Sequence, residues 1–318
     1  MKSSIVLARL FAALAFLAFA LPAGAGVVVA REFKSAALDR NWSYAVYLPD
    51  GYENSNLRYP VLYLLHGNGG NLYSWVNDGR IQQTADALIE HGDIPPCVIV
   101  MPDAGTTWFV DRKEKMETAV IGELIPDVEK NWKVLTTRQG RLVAGLSMGG
   151  YGAMRFSLKY PELFAAAALL SPAIYNPEPP ENSSARRVGV FGSPDYDGTI
   201  WKAYNYPQLW DAYLAKKLPV PMYINSGDDD DFFIEAEATQ FYSLLRRNKQ
   251  PAELRIVDGA RLDGLGKHDR RCDEIHLSLF RAADGRRSGA LKSCEPEAER
   301  PPRRVTEADV KFPSASRF

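Results

Sequence analysis

The chain is poor in several features that would announce a function at once. Its 318 residues include only three cysteines, Cys97, Cys272 and Cys294. These form no CxxC pair and join no histidine at metal-ligand spacing, so no structural zinc is expected and at most one internal disulfide can form. Cys97, beside an apolar segment, is expected to be a buried free thiol, and a Cys272–Cys294 bridge is open to an exported chain. Lysine and arginine do not cluster: 38 of them face 39 acids, for a formal net charge of −1. Without a concentrated basic face the chain lacks the means to track a phosphate backbone, so no nucleic acid partner is expected. Internal repeats are missing, and long apolar runs are scarce. The longest, residues 10–21, falls well short of the roughly 20 residues of a membrane span, so no stable span is expected in the mature chain.

Lys2 and Arg9 precede that run and Ala23-Gly24-Ala25 follows it. Charge, apolar segment and small residues in this order read as a secretory signal peptide over 1–25, with an uncleaved anchor as the alternative. Residues 26–284 suit one large α/β domain. Residues 285–318 are charged, carry prolines and lack an apolar period, and so read as a loose tail.

Between these ends the sequence alternates. Segments at 27–33 and 42–48 read as antiparallel edge strands. Short apolar segments follow at 59–65, 96–103, 142–144, 164–170, 220–225 and 253–257, the pattern of strands buried on both faces. Helical stretches are expected at 78–91, 116–132, 154–160, 234–247 and 273–283. This βαβ rhythm predicts an α/β fold, a doubly wound, mostly parallel sheet with helices on both faces. The rhythm breaks over 171–219, where prolines crowd a loop and Trp201, Tyr204, Tyr206, Trp210 and Tyr213 follow. That insertion is expected near the pocket. Trp201, with Trp108 in the loop after the 96–103 strand, is a candidate substrate contact, unless these aromatics pack the insertion onto the sheet.

The densest signal is Gly145-Leu146-Ser147-Met148-Gly149. A Gly-x-Ser-x-Gly pattern is weak alone, but here an apolar strand precedes it and a helix follows, the setting of a nucleophile elbow. A side chain on so sharp a turn stands clear of its neighbours, and glycines two residues to either side keep Cβ atoms away. The helix N-terminus behind it carries free N–H groups. The Met148 N–H can therefore hold an oxygen that becomes anionic when Ser147 attacks an acyl carbon. A second donor is expected from the glycine-rich loop His66-Gly67-Asn68-Gly69-Gly70, with the Asn68 N–H as candidate. His66 is read as ordering that loop, not as a general base.

A serine hydroxyl needs a base, and the base needs an acid to fix its tautomer. After Ser147 only two histidines remain, His268 and His276. His268, in a glycine-bearing loop after the last strand, is preferred over His276, which falls inside a predicted helix. The acid lies in Asp228-Asp229-Asp230-Asp231, at the end of the 220–225 strand. Chemistry alone does not choose among the four, because mutual repulsion turns most of them to water.

Leu64-Leu65-His66-Gly67-Asn68-Gly69-Gly70, Trp75, Met101-Pro102-Asp103 and Gly145-Leu-Ser-Met-Gly-Gly-Tyr-Gly-Ala153 together resemble the putative-esterase family of α/β-hydrolases. That family includes esterase D and S-formylglutathione hydrolases, feruloyl and enterochelin esterases, and mycolyltransferases. The resemblance runs from about residue 33 to residue 283. It implies Ser147 as nucleophile and Asp230, three residues after a glycine and just ahead of Phe232-Phe233, as the acid. The chain departs from the family at the base, where extra residues separate Asp258-Gly259 from His268-Asp269. No cofactor or metal is implied. The expected activity is hydrolysis of a small-molecule or carbohydrate-linked ester by Ser147, Asp230 and His268, with Asn68 and Met148 as oxyanion donors, in a secreted or periplasmic protein. Acyl transfer to a sugar or other alcohol, and a non-catalytic binding module on the same fold, are the alternatives.

Overall fold

The computed structural model describes residues 24–258. Residues 1–23 of the expected signal segment, Cys272, Cys294, the helix expected at 273–283 and the tail expected at 285–318 lie outside the described residues. Eight strands form one sheet: β1 (Val27–Ser35), β2 (Arg40–Leu48), β3 (Val61–Leu65), β4 (Val98–Pro102), β5 (Arg141–Leu146), β6 (Ala166–Leu170), β7 (Met222–Gly227) and β8 (Ala252–Val257). Their order is β1-β2-β4-β3-β5-β6-β7-β8. β2 pairs antiparallel with both β1 and β4, and every other pairing is parallel. This is the α/β fold expected from the rhythm of the sequence, with the two N-terminal strands as the antiparallel edge.

β3, β4 and β6 are buried at every position, because helices cover both faces of the sheet. Alternation along each strand divides the apolar residues between two cores. Val61, Tyr63 and Leu65 of β3 enter one core, and Leu62 and Leu64 enter the other. The helices Met148–Lys159 and Ile234–Arg247 pack into the first core, and the helix Ile81–Glu90 packs into the second. Ile234, Ala238, Phe241 and Leu245 form the buried stripe of the second of these helices, spaced as one face of a 3.6-residue period requires. Cys97 is a buried free thiol whose pKa burial pushes up to about 12.

The single helix expected at 116–132 is interrupted. α-Helical Met116–Ala119 and Ile125–Asn131 flank a π-helical segment, Val120–Leu124. Glu123 in that segment accepts hydrogen bonds from the Ser35 hydroxyl and from the Ala37 N–H, so it grips the turn between β1 and β2. Over 171–219 the structure has no strand, only short helical pieces, of which Gly198–Tyr204 is capped by the Asp197 side chain on Thr199 N–H at 2.7 Å.

A buried charge network ties the elbow helix to its surroundings. Glu117, 1% exposed, accepts from Arg155 Nε at 2.7 Å, from Lys159 Nζ and from the Tyr160 hydroxyl at 2.7 Å. Burial alone would raise the Glu117 pKa, but the Arg155 charge and these hydrogen bonds outweigh it and hold the carboxyl below its ordinary value. Arg155 and the Tyr151 hydroxyl both donate to the Tyr204 carbonyl, each at 2.7 Å, which fastens the insertion to the same helix.

Removing one partner of such a pair leaves the other charge buried. Glu117→Ala is expected to destabilise by about 3–5 kcal/mol in urea unfolding at pH 7. Because the folded-state pKa of Glu117 is depressed, its contribution is present above the unfolded-state carboxylate pKa and is lost as pH falls through the folded value. The difference between wild type and Glu117→Gln should therefore shrink on acidification, and a pH-independent gap would contradict the assignment.

Candidate active site

The C-terminal ends of β3 to β7 form one rim of the sheet, where open α/β sheets place their ligands. Backbone strain marks the same rim. Among the described residues nine non-glycine residues have positive φ, and five of them leave β4, β5, β6 or β7 at this end: Trp108 (57°), Phe109 (54°), Ser147 (54°), Ser171 (36°) and Phe233 (54°). Each such residue costs on the order of 1–3 kcal/mol and persists only where its surroundings over-determine it.

Ser147 is the sharpest case, with φ 54° and ψ −113° between β5 and the helix Met148–Lys159. Its N–H donates to Leu170 O at 2.9 Å, and its carbonyl accepts from Tyr151 N–H at 2.9 Å and Ala173 N–H at 3.1 Å. The flanking glycines are required by close approach. A Cβ on Gly145 would lie 2.3 Å from the Gly149 backbone, and one on Gly149 would lie 2.3 Å from Leu65 O. The elbow thus sits directly on the end of β3.

That contact brings the glycine-rich loop to the serine. A Cβ built on Gly67 would be 3.9 Å from Ser147 Cβ, so the loop backbone passes beside the hydroxyl-bearing carbon. His66 holds the loop in place. Its Nε2 accepts from Ala104 N–H at 2.9 Å, which requires the ring's hydrogen to be on Nδ1, where it donates to Gly67 O at 2.7 Å. With both nitrogens occupied and burial lowering its pKa, His66 is a neutral loop-orderer, as expected. Gly69 N–H donates to Gly105 O at 3.0 Å, a second tie to the loop after β4. Among the described residues no hydrogen bond occupies the N–H of Asn68 or of Met148. Both stay available as donors.

The four aspartates differ in burial. Asp230 is 6% exposed, whereas Asp228, Asp229 and Asp231 are exposed. Asp230 Oδ1 accepts from Phe232 N–H at 3.0 Å, and its carbonyl accepts from Phe233 N–H at 3.0 Å, closing the turn that starts the next helix. Asn182 of the insertion donates to Asp231 O at 3.1 Å and steadies the loop from outside. Tyr175 is near enough to feel Asp230: its pKa is raised first by burial and further by that charge. His268 and His276 lie outside the described residues.

The two tryptophans expected at the substrate are placed differently. Trp108 is 1% exposed and Trp201 is 0% exposed. They meet edge to face at 5.8 Å, and both pack against Tyr151 and Phe191. The Trp201 indole N–H donates to Tyr175 O at 3.2 Å. Aromatic faces gain most when fully buried against one another, so the pair braces the insertion against the elbow helix and presents no surface to a ligand. The packing alternative for these aromatics is the one the structure adopts. The sequence reading also missed the support that loop 103–105 gives to His66; a glycine after the Pro102-Asp103 strand end was its only visible sign.

A family model described as "Putative esterase" matches residues 35–271. An endo-1,4-beta-xylanase/feruloyl esterase of Xylanibacter ruminicola is 38% identical over 160 residues, covering 47% of this chain and 22% of that protein. A Mycobacterium tuberculosis protein named as an esterase is 32% identical over 270 residues, 78% of this chain and 57% of the relative. The chain therefore spans between about a fifth and three fifths of the length of these two relatives. A solved ferulic acid esterase superposes with a TM-score of 0.66 at 28% identity, over 81% of this chain and 99% of that one.

The two glycines near Ser147 should respond differently to a methyl group. Gly149→Ala is expected not to reach the native fold, since its Cβ would overlap the end of β3. Gly67→Ala meets only ordinary contacts and is expected to fold with a near-wild-type Tm. In a pH profile, His66→Gln should keep the acid limb of the wild type, because the glutamine oxygen can still accept from Ala104; disappearance of that limb would make His66 a base.

Proposed function

Because the chain belongs to the esterase family whose model it matches over residues 35–271, we propose that it is a serine carboxylic ester hydrolase using Ser147, Asp230 and His268. In this reading His268, supplied from beyond the described residues, takes the proton of the Ser147 hydroxyl as its oxygen attacks the acyl carbon. Asp230 orients the imidazole and stabilises its positive form. The N–H groups of Met148 and Asn68 hold the oxyanion, and each such donor is typically worth about 10²–10³ in kcat. The alcohol leaves with the proton held by His268, and water activated by the same imidazole releases the acid. The substrate class is a small-molecule or carbohydrate-linked ester, in line with relatives named feruloyl esterase. The protein acts after export, following the signal segment read at 1–25.

The observation that carries this reading is the strained Ser147 turn with the Gly67 backbone against its Cβ. The loop after β3 and the start of the helix Met148–Lys159 both adjoin Ser147, which supports donors from each. Buried Asp230 gives the second support, since an orienting acid must be shielded from water to act on one imidazole.

A fluorophosphonate probe should label the wild type and leave Ser147→Ala unlabelled. Turnover of an aryl acetate by Ser147→Ala should fall by about 10⁴-fold or more. Asp230→Asn should lose about 10⁴ in kcat, while Asp231→Asn stays within a few-fold of wild type. Equal losses at the two aspartates would reject Asp230 as the orienting acid.

A further inference from the structure

Among the described residues, packing begins at the residue that follows the cut expected from the sequence. Lys2, Arg9, the apolar run and Ala23-Gly24-Ala25 place that cut between Ala25 and Gly26, with alanines one and three positions before it. Gly24 and Ala25 are exposed in the structure, and Gly26 is the first buried residue described. β1 starts one residue later, where Val27 pairs with Leu48. The order of charge, apolar run and small residues and the onset of packing are independent observations, and they meet at one peptide bond.

Gly26 occupies a seat that only a residue without a side chain can enter. A Cβ there would lie 2.5 Å from the Tyr47 ring, 2.7 Å from Leu48 O and 2.8 Å from Asp86 Oδ1. The Gly26 N–H donates to Asp86 Oδ1 at 3.0 Å, and the Gly26 carbonyl accepts from Gln82 Nε2 at 2.7 Å. Gln82 and Asp86 stand four apart on the helix Ile81–Glu90, so one helical face grips both ends of the glycine. The Tyr47 hydroxyl donates to the same Asp86 oxygen at 2.7 Å. Burial and that hydrogen bond raise its pKa, so it stays a donor. A second carboxylate, Asp50, lies against Gly24, whose Cβ would come within 2.2 Å of it. Among the described residues neither acid is paired with a lysine or an arginine.

We propose that an export peptidase hydrolyses the Ala25–Gly26 bond and that the Gly26 α-ammonium so freed docks on Asp86, locking the mature N-terminus to the fold. The proposal rests on the signal segment read at 1–25 and goes beyond it by giving the new terminus a partner. Water adds across the amide: Ala25 leaves as a carboxylate, and the Gly26 nitrogen ends with three hydrogens and a positive charge. A neutral donor of one hydrogen thereby becomes a cation in a place already built beside a carboxylate, and the contact becomes an ion pair. Loss of residues 24 and 25 also uncovers Asp50 as a further negative charge. The seat fixes the register of the cut. A terminus one residue earlier or later would carry its amine about 3.8 Å along the chain, out of hydrogen-bond reach of Asp86. The lock ties β1, the edge strand, to the helix that covers the second core.

The test uses the full chain expressed with its own leader and recovered from the periplasm of a bacterial host. Its intact mass is expected to be that of a chain starting at Gly26; a chain left uncut, or cut elsewhere, overturns the proposal. Competitive acylation of the terminal amine from pH 6 to 10 then reads the docking. The groups facing that amine are Asp86, Asp50 and Tyr47, and Tyr47 and the Cys97 thiol behind it, pushed up to about 12, titrate above it. The labelling midpoint should lie above the ordinary α-amino range of about 7.7–8.0, and at pH 7 the wild type should label about tenfold more slowly than Asp86→Asn. Asparagine keeps an oxygen for Tyr47 and Gly26 and removes only the charge. Because the amine pKa is raised by folding, its stabilisation is present below the unfolded value and lost as pH rises through the folded one. The Tm deficit of Asp86→Asn should therefore close towards pH 10. A wild-type amine that titrates in the ordinary range, whether or not the variant folds, or equal labelling of the two proteins, overturns the lock. Hydrolysis of 4-nitrophenyl acetate is read in parallel and should be the same in both, so failure of the esterase reading is seen separately.

Discussion

The structure turns on the packing of a backbone against a backbone at the end of β3. Gly149 lies so close to Leu65 O that no side chain can enter, and this contact forces the chain at Ser147 into a conformation that residues with a Cβ rarely adopt. The surrounding hydrogen bonds to Leu170, Tyr151 and Ala173 keep it there. A cost of on the order of 1–3 kcal/mol is small against the burial of the elbow helix, whose apolar residues from Met148 to Leu158 lie in the main core. Strain at one residue is thus maintained by packing over a dozen.

The same contact organises the rest of the rim. Because the elbow presses on β3, the loop leaving β3 must pass beside Ser147, and it cannot wander, since His66 is held from two sides by backbone groups. A buried neutral imidazole serves there better than a charged group would, because burial disfavours the charged form. Behind the elbow, Glu117, Arg155 and Tyr204 join the α-helical turn Met116–Ala119, the elbow helix and the insertion in one network. The aromatic cluster of Trp108, Tyr151, Phe191 and Trp201 fills the space between them. The insertion, which brings no strand to the sheet, gains its place from these contacts, and its Asn182 in turn supports the Asp231 backbone.

Much of this was legible in the residues. The strands follow from short runs such as Val98–Pro102 that are apolar on both faces, and the elbow follows from two glycines around one serine. Local chemistry could not choose among four aspartates with the same intrinsic preference for water; the family resemblance pointed to Asp230, and Asp230 is the one of the four that is buried. The tryptophans were ambiguous for a related reason. An aromatic in an irregular segment has the same composition whether it faces a ligand or a neighbouring ring, and only the tertiary positions of Tyr151 and Phe191 decide. The π-helical segment was equally hidden, since the apolar spacing at Val120, Leu124 and Val128 suits either helix.

The central claim is that the Ser147 oxygen becomes covalently acylated during turnover. Acid quenching of the protein in the presence of an aryl ester, followed by mass analysis of the tryptic peptide 142–155, tests it most directly. The account predicts that this peptide gains the mass of one acyl group, localised to Ser147. Hydrolysis that proceeds with the peptide unmodified at every quench time, or with the acyl group on another residue, would contradict it.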